Sequence, residues 1–398
     1  LFRERADRGF RPLLIVWSAW LVLMAGTNLA TPLYAVYAAE LGFSSLVLTT
    51  IFATYAVVLV PALILFGRLS DRFGRRPVIL AGLGAACGGL VLFALARNEA
   101  WLYGARAVQG LAVGMISGAA TAALVELDPR DDRRRAAMFA GLAQAGGSAA
   151  GPLLAGVLAE WAPRPLRLSF YVGLALTVVA AAATLSLKES SDREPEPWKI
   201  QRPRVPREIR GRFARVSLTA ATVWATVALF LSIVPSYAGG VLETHNLALL
   251  ATLAALALVA SSVTQVVSQR WRPSPQLSQA AGLGVLATGL VLLVLSAPLH
   301  SLALILAGSL AAGTGHGLAF LNAQEELNEI APPERRGEVT AAFIACIYAL
   351  VASAVTATGL LDERFSLSIS VSAVALVLVA CALGALAWQA QASASSRR

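Results

Sequence analysis

Apolar stretches of about twenty residues recur along the whole chain between short polar loops, and this repetition constrains the fold more than any other feature. A stretch of that length crosses roughly 30 Å of hydrocarbon as an α-helix, which satisfies its own backbone hydrogen bonds without water. The sequence places spans at 12–37, 44–66, 78–97, 100–126, 136–160, 167–187, 216–236, 247–268, 277–297, 301–323, 339–361 and 366–389. The expected fold is an all-α membrane protein of twelve transmembrane helices. Of its 398 residues, 57% are hydrophobic and 14% charged, so no large water-soluble domain fits between the spans.

The first span follows a basic start (Arg3, Arg5, Arg8, Arg11) but is too long for the apolar core of a secretion signal, so it reads as a retained helix. An even number of spans puts both ends on one side. With the N-terminus in the cytoplasm, 27 Lys and Arg fall inside and four fall outside (Arg97, Arg164, Arg167 and Arg364), while Arg106 lies within a span. That bias is the positive-inside pattern and predicts cytoplasmic termini. Abundant alanine and a strong preference for arginine over lysine suggest a GC-rich bacterial genome, hence the inner (cytoplasmic) membrane. The net charge of +9 does not point to nucleic acid, because the basic residues are spread over short loops and share no soluble face. Cys87, Cys346 and Cys381 lie in apolar runs, and neither a disulfide framework nor a metal site is inferred.

The two halves repeat. Ala81-Gly82-Leu83-Gly84 returns as Ala281-Gly282-Leu283-Gly284, and Pro32-Leu33-Tyr34-Ala35 as Pro235-Ser236-Tyr237-Ala238, at offsets of 200 and 203. The loop Pro129 to Arg135 has its counterpart at Pro332 to Arg336. Two six-helix bundles are expected at 1–187 and 216–398, joined by a proline-rich, mixed-charge connector at 188–215. Duplicated halves suit a carrier that rocks around a central site.

Between the second and third spans the chain reads Gly67-Arg68-Leu69-Ser70-Asp71-Arg72-Phe73-Gly74-Arg75-Arg76. A topology-setting basic loop accounts for the arginines but not for Asp71 or the glycines seven residues apart. The stretch resembles the signature loop of the major facilitator superfamily, G-x-L-x-D-R-x-G-R-[KR]. The resemblance implies a cytoplasmic gating loop in which Asp71 lies near the N-terminal end of the eleventh helix, with Arg75 as its partner. Glu126, at the end of the fourth span, stands where a third member is expected, able to pair with Arg72 or Arg75; an ordinary solvated helix end is the other reading. In the second half, Gln269 to Ser274 occupies the matching place without acid or glycine, so the latch is asymmetric.

Two further stretches resemble family signatures. Arg106, Gln109, Gly110 and Gly114 match the fourth-helix motif R-x-x-Q-G-x-x-x-G, whose arginine is linked in the family to proton transfer. A charge at mid-membrane costs about 2.5–3.5 kcal/mol on insertion scales, so Arg106 either faces a cavity or snorkels to the headgroups. The first span holds no deep carboxylate to partner it. Gly147, Gly151, Pro152 and Gly156 match the fifth-helix motif of drug:proton antiporters, G-x-x-x-G-P-x-x-G-G, with Ala155 in place of one glycine. Proline bends a helix and glycines admit a close neighbour. This resemblance implies export.

Polar or aromatic side chains at mid-depth are the substrate-contact candidates: Asn28, Thr31, Tyr34, Gln144, Trp224, Gln265, His316 and Asn322, although each taken alone reads as helix-packing glue before it reads as a ligand contact. His316 stands among glycines and could carry a coupled proton, or remain neutral and bonded to a neighbouring helix. The leading expectation is a monomeric, cofactor-free, proton-coupled exporter of a small hydrophobic or drug-like molecule. A carrier of the same fold for a sugar or other polar metabolite is the alternative. An enzyme or non-transporting sensor is disfavoured, since no nucleotide-binding loop, zinc-helix motif or Ser/His/Asp set is present.

Overall fold

The computed structural model describes residues 10–67, 69–189, 203–268, 274–332 and 335–395. The basic start before residue 10, Arg68, most of the connector, the loop 269–273, Pro333, Glu334 and the closing Arg397-Arg398 lie outside the described residues. Among the described residues there is no strand. Twelve helices among the described residues are long and apolar enough to cross a membrane: Arg11–Leu33, Ser45–Phe66, Arg75–Ala94, Glu99–Glu126, Arg135–Trp161, Pro165–Leu185, Arg207–Ser232, Leu247–Ser268, Pro275–Ser296, Leu302–Ile330, Arg336–Asp362 and Leu367–Gln391. They are called the first to twelfth spans below.

Two bounds correct the sequence reading. The seventh span begins at Arg207 rather than 216, and the tenth runs on to Ile330 rather than ending at 323. Charged residues had marked both limits, yet Arg215 and Glu326 lie inside these helices, 5% and 0% exposed, and pair with each other. A charge satisfied by a partner is compatible with burial and does not end a helix.

The repeat is visible as a shared break. In the first span the helix Arg11–Asn28 gives way to a 3-10 turn at Thr31–Leu33 and a short helix at Tyr34–Leu41. In the seventh, Arg210–Ser232 is followed by Val234–Val241. Pro32 and Pro235 lack the N–H that would continue the ladder. Both are followed two residues later by a buried tyrosine, Tyr34 and Tyr237.

The chain divides into two compact units, Leu1–Leu33 with Val57–Gln201, and Tyr34–Ala56 with Arg202–Arg398. In the first unit, Gly82 lets the third span approach the fourth so closely that a Cβ there would overlap Ile116. In the second, a Cβ at Gly282 would meet the backbone of Gly315 and Ala319. The repeated Ala-Gly-Leu-Gly thus seats equivalent helix pairs. Residues 34–56 pack with the second unit: Thr49 fills the space left by Gly359 of the eleventh span, and Tyr55 meets Tyr348 edge-on at 6.3 Å.

Candidate functional site

The polar side chains singled out above fall into distinct clusters, three in the first unit and one in the second. The first surrounds Arg75. A short helix, Leu69–Phe73, turns at Gly74 into the third span; Gly74 has φ +91°, a conformation that costs any residue with a Cβ. The turn aims the Arg75 guanidinium back at the short helix and across at the fourth span. Its Nη1 donates to Asp71 Oδ1 and Ser70 Oγ, both at 2.6 Å, and its Nη2 donates to Glu126 Oε1 at 2.9 Å. The acids keep contact with solvent, with side chains 35% (Asp71) and 25% (Glu126) exposed, while that of Arg75 is only 7% exposed. Arg75 is therefore a partner of Glu126, which is no plain solvated helix end. Arg72 lies over the Phe73 ring at 5.3 Å.

Glu189, just beyond the sixth span, joins this cluster. Its carboxylate accepts the backbone N–H groups of Arg75 at 2.8 Å and Arg76 at 3.2 Å, capping the positive end of the third span. A Cβ at Gly74 would overlap it, so the glycine is required twice over. Nearby, Asp128 pairs with Arg135 and accepts the N–H of Arg130 at 2.8 Å, closing the loop between the fourth and fifth spans. Burial pushes the Asp128 carboxyl up, but the bonds and charge of Arg135 outweigh it and hold the group below the ordinary carboxylate range.

The second cluster centres on Arg106, 2% exposed and turned inward rather than snorkelling. It donates to the Thr27 carbonyl at 2.7 Å and to Gln109 Oε1 at 3.0 Å; Gln109 Nε2 donates to the Gly26 carbonyl at 3.3 Å. These carbonyls belong to the last turn before the break at Pro32, where intrahelical donors run out. An arginine is well matched to that negative helix end. Gly110 is buried, and Gly114 seats the fourth span on Ala62 of the second.

The third cluster joins the first and fifth spans. A Cβ at Gly147 or Gly151 would overlap the Leu21 or Ala25 carbonyl of the first span. Pro152 lies inside the same helix and Gly156 is buried. This close seat brings Asn28 Nδ2 to 3.3 Å from Ser148 Oγ, beside its bonds to the Met24 carbonyl and Thr27 Oγ1. Thr31 is buried next to the break, and Gln144 is half-buried without a role in the cluster.

The second unit holds two groups. Around His316 of the tenth span stand Trp224, Phe320, Ser261 and Gln265. Asn322 turns away and donates to the Leu318 carbonyl of its own helix at 2.7 Å. The other group went unread in the sequence. Glu326 pairs with Arg215 and accepts from Gln279 Nε2 at 2.8 Å; Gln389 Nε2 in turn donates to Gln279 Oε1 at 2.7 Å. Glu326 lies 200 residues after Glu126, the offset of the Ala-Gly-Leu-Gly repeat, and that spacing was the available signal.

Residues 16–357 match the Major Facilitator Superfamily. The chain belongs to this family. It is a multi-pass membrane transporter, not an enzyme. Among its relatives is the triacylglyceride transporter of Mycobacteroides abscessus, 30% identical over 154 residues that cover 38% of this chain and 29% of that protein. Another is the class H tetracycline resistance protein of Pasteurella multocida, 29% identical over 149 residues covering 37% of this chain and 36% of that protein. The match therefore spans only about a third of either relative's length. A solved POT family transporter in complex with 5-aminolevulinic acid superposes with a TM-score of 0.79 at 13% identity, covering 97% of this transporter and 98% of that chain. A nucleoside transporter gives 0.75 at 11% identity over 96% and 99%. Both likenesses concern the fold.

Proposed function

We propose that this transporter exports a small hydrophobic or drug-like molecule across the cytoplasmic membrane by alternating access, driven by proton entry, with both termini in the cytoplasm. The observation that carries the reading is the seat of the fifth span on the first. Gly147 and Gly151 press against the Leu21 and Ala25 carbonyls in the segment that resembles the antiporter signature. The relatives named for tetracycline resistance and for triacylglyceride transport support a drug-like or hydrophobic cargo. The Arg75 cluster acts as a latch. It is a set of partly solvated ion pairs, each of the kind that contributes about 0–1 kcal/mol, weak enough to open and reclose every cycle. The excess of basic residues on the assigned cytoplasmic side, leaving aside Arg215, which is buried against Glu326, supports the orientation.

Everted membrane vesicles test the proposal. With an inside-acid gradient, vesicles containing the transporter should accumulate tetracycline or a triacylglyceride above control vesicles, and collapsing the gradient should release it. Gly151→Leu, which forces a side chain into the Ala25 carbonyl, should abolish accumulation. Accumulation that ignores the gradient would sink the proton coupling, and uptake in right-side-out vesicles would reverse the direction.

A further inference from the structure

The tenth span carries Gly313-Thr314-Gly315-His316-Gly317. Cβ atoms at Gly313 and Gly317 would strike the Ala257 and Ser261 carbonyls, so these glycines bring the tenth span against the eighth at His316. The imidazole is 1% exposed, and its Nδ1 lies 2.8 Å from Ser261 Oγ. Around it are two rings. Phe320, one turn on, stacks with it at 5.5 Å and 21°, and Trp224 of the seventh span stands perpendicular to both, at 4.9 Å from His316 and 5.3 Å from Phe320. Trp224 and Phe320 are only half-buried.

Gln265 Nε2 donates to Ser261 Oγ at 3.1 Å, and the serine hydroxyl has no acceptor other than His316 Nδ1 among the described residues, so it is assigned as the donor to Nδ1. The imidazole proton is then on Nε2. That nitrogen is buried and has no hydrogen-bond partner among the described residues, and no carboxylate bonds the ring. A helix contact needs no such donor, since an apolar side chain would pack there without the cost of an unmade bond. A donor kept oriented by two further side chains, and flanked by two accessible aromatic rings, has the form of a recognition group.

We propose that Trp224, His316 and Phe320 form a substrate subsite for an uncharged planar ring bearing a carbonyl or enol oxygen. The planar group stacks on one of these two perpendicular rings and meets the other edge-on, and His316 Nε2–H, buried behind them here, donates to its oxygen once they part. Ser261 and Gln265 are positioning residues that hold the tautomer. The subsite specifies the cargo of the proposed exporter and rests on that reading for its role in transport; its ligand chemistry stands on these residues alone.

Equilibrium dialysis on the purified full chain in lipid nanodiscs, without a gradient, tests it. Tetracycline supplies fused rings with carbonyl and enol oxygens, and ethidium supplies a planar aromatic cation lacking them. His316→Phe keeps the stack and removes the donor, so tetracycline should bind about tenfold more weakly while ethidium changes less than about twofold. His316→Gln, which keeps an N–H, should retain tetracycline binding within about threefold, and Ser261→Ala should weaken it by about as much. Trp224→Leu should weaken both probes. Thermal unfolding of each variant separates lost binding from lost fold, and His316→Gln remains informative if His316→Phe unfolds. Wild-type protein that fails to bind tetracycline, or His316→Phe that binds it as well as wild type, overturns the proposal. Intact binding together with gradient-independent vesicles overturns the export reading instead and leaves the subsite standing.

Discussion

Glu126 and Glu326 occupy equivalent places, 200 residues apart, near the ends of the fourth and tenth spans, and each is held by an arginine. They differ in what surrounds the pair. Glu126 keeps a quarter of its side chain exposed and shares Arg75 with the half-solvated Asp71. Glu326 is fully buried, and its second oxygen is occupied by Gln279, itself held by Gln389. Water can replace the partners of Glu126 when that cluster opens. It cannot do so for Glu326, so the second pair fixes the seventh, ninth, tenth and twelfth spans to one another. The same duplicated element thus serves as a breakable contact in one unit and a pin in the other.

The sharpest way to break that contrast is to remove one charge from each pair. Glu326→Gln leaves Arg215 buried opposite a neutral group and should destabilise the protein by about 3–5 kcal/mol, read from denaturant unfolding in detergent. Arg215→Met combined with Glu326→Met should recover most of that loss, because two apolar groups remove the desolvation cost together. A loss under about 1 kcal/mol for Glu326→Gln would mean that the pair is solvated and the contrast false. Arg212, 3.9 Å from Glu326 but 57% exposed, should be replaceable by alanine with little effect.

Gly74→Ala comes next. It combines an unfavourable backbone with an overlap on Glu189, and a cost of about 1–3 kcal/mol is expected. Adding Glu189→Ala should relieve only the overlap. Asp71→Asn should be nearly silent in stability, within about 1 kcal/mol, yet strongly reduce gradient-driven accumulation in everted vesicles. Equal effects of Asp71→Asn and Glu326→Gln on stability would erase the distinction between latch and pin.

The twelve spans were legible because apolar length is a local property, and the Asp71–Arg75 part of the Arg75 cluster because those two residues lie within one loop. The Asn28 and Gly151 contact was legible only as a small-residue pattern whose partner helix the sequence does not name. Arg215 and Glu326 were missed because span limits were drawn at charged residues. Their pairing across 111 positions is what makes both burials possible, and no window of sequence displays it. Glu189 was hidden for the same reason: it reads as connector until the fold returns it to the N-terminus of the third span. Phe320 passed for one more apolar residue, and its relation to Trp224 and His316 is wholly tertiary.

Asp128 offers the finest test, because it separates burial from position. It belongs to the first unit, like Glu126, but its side chain is fully buried against Arg135, like that of Glu326, and it lies outside the spans. If burial decides how firmly a pair holds, Asp128 should behave as a small pin. Its folded-state pKa is depressed, so its contribution is present above the unfolded carboxylate pKa of about 3.9 and is lost as pH falls through the lower folded value. Unfolding free energy of the wild type should therefore decline between about pH 5 and pH 3 more steeply than that of Asp128→Asn, with a difference on the order of 1 kcal/mol. Parallel acid slopes would place Asp128 with the solvated pairs. The difference between Glu126 and Glu326 would then follow from the extra glutamine bonds of the second unit rather than from burial itself.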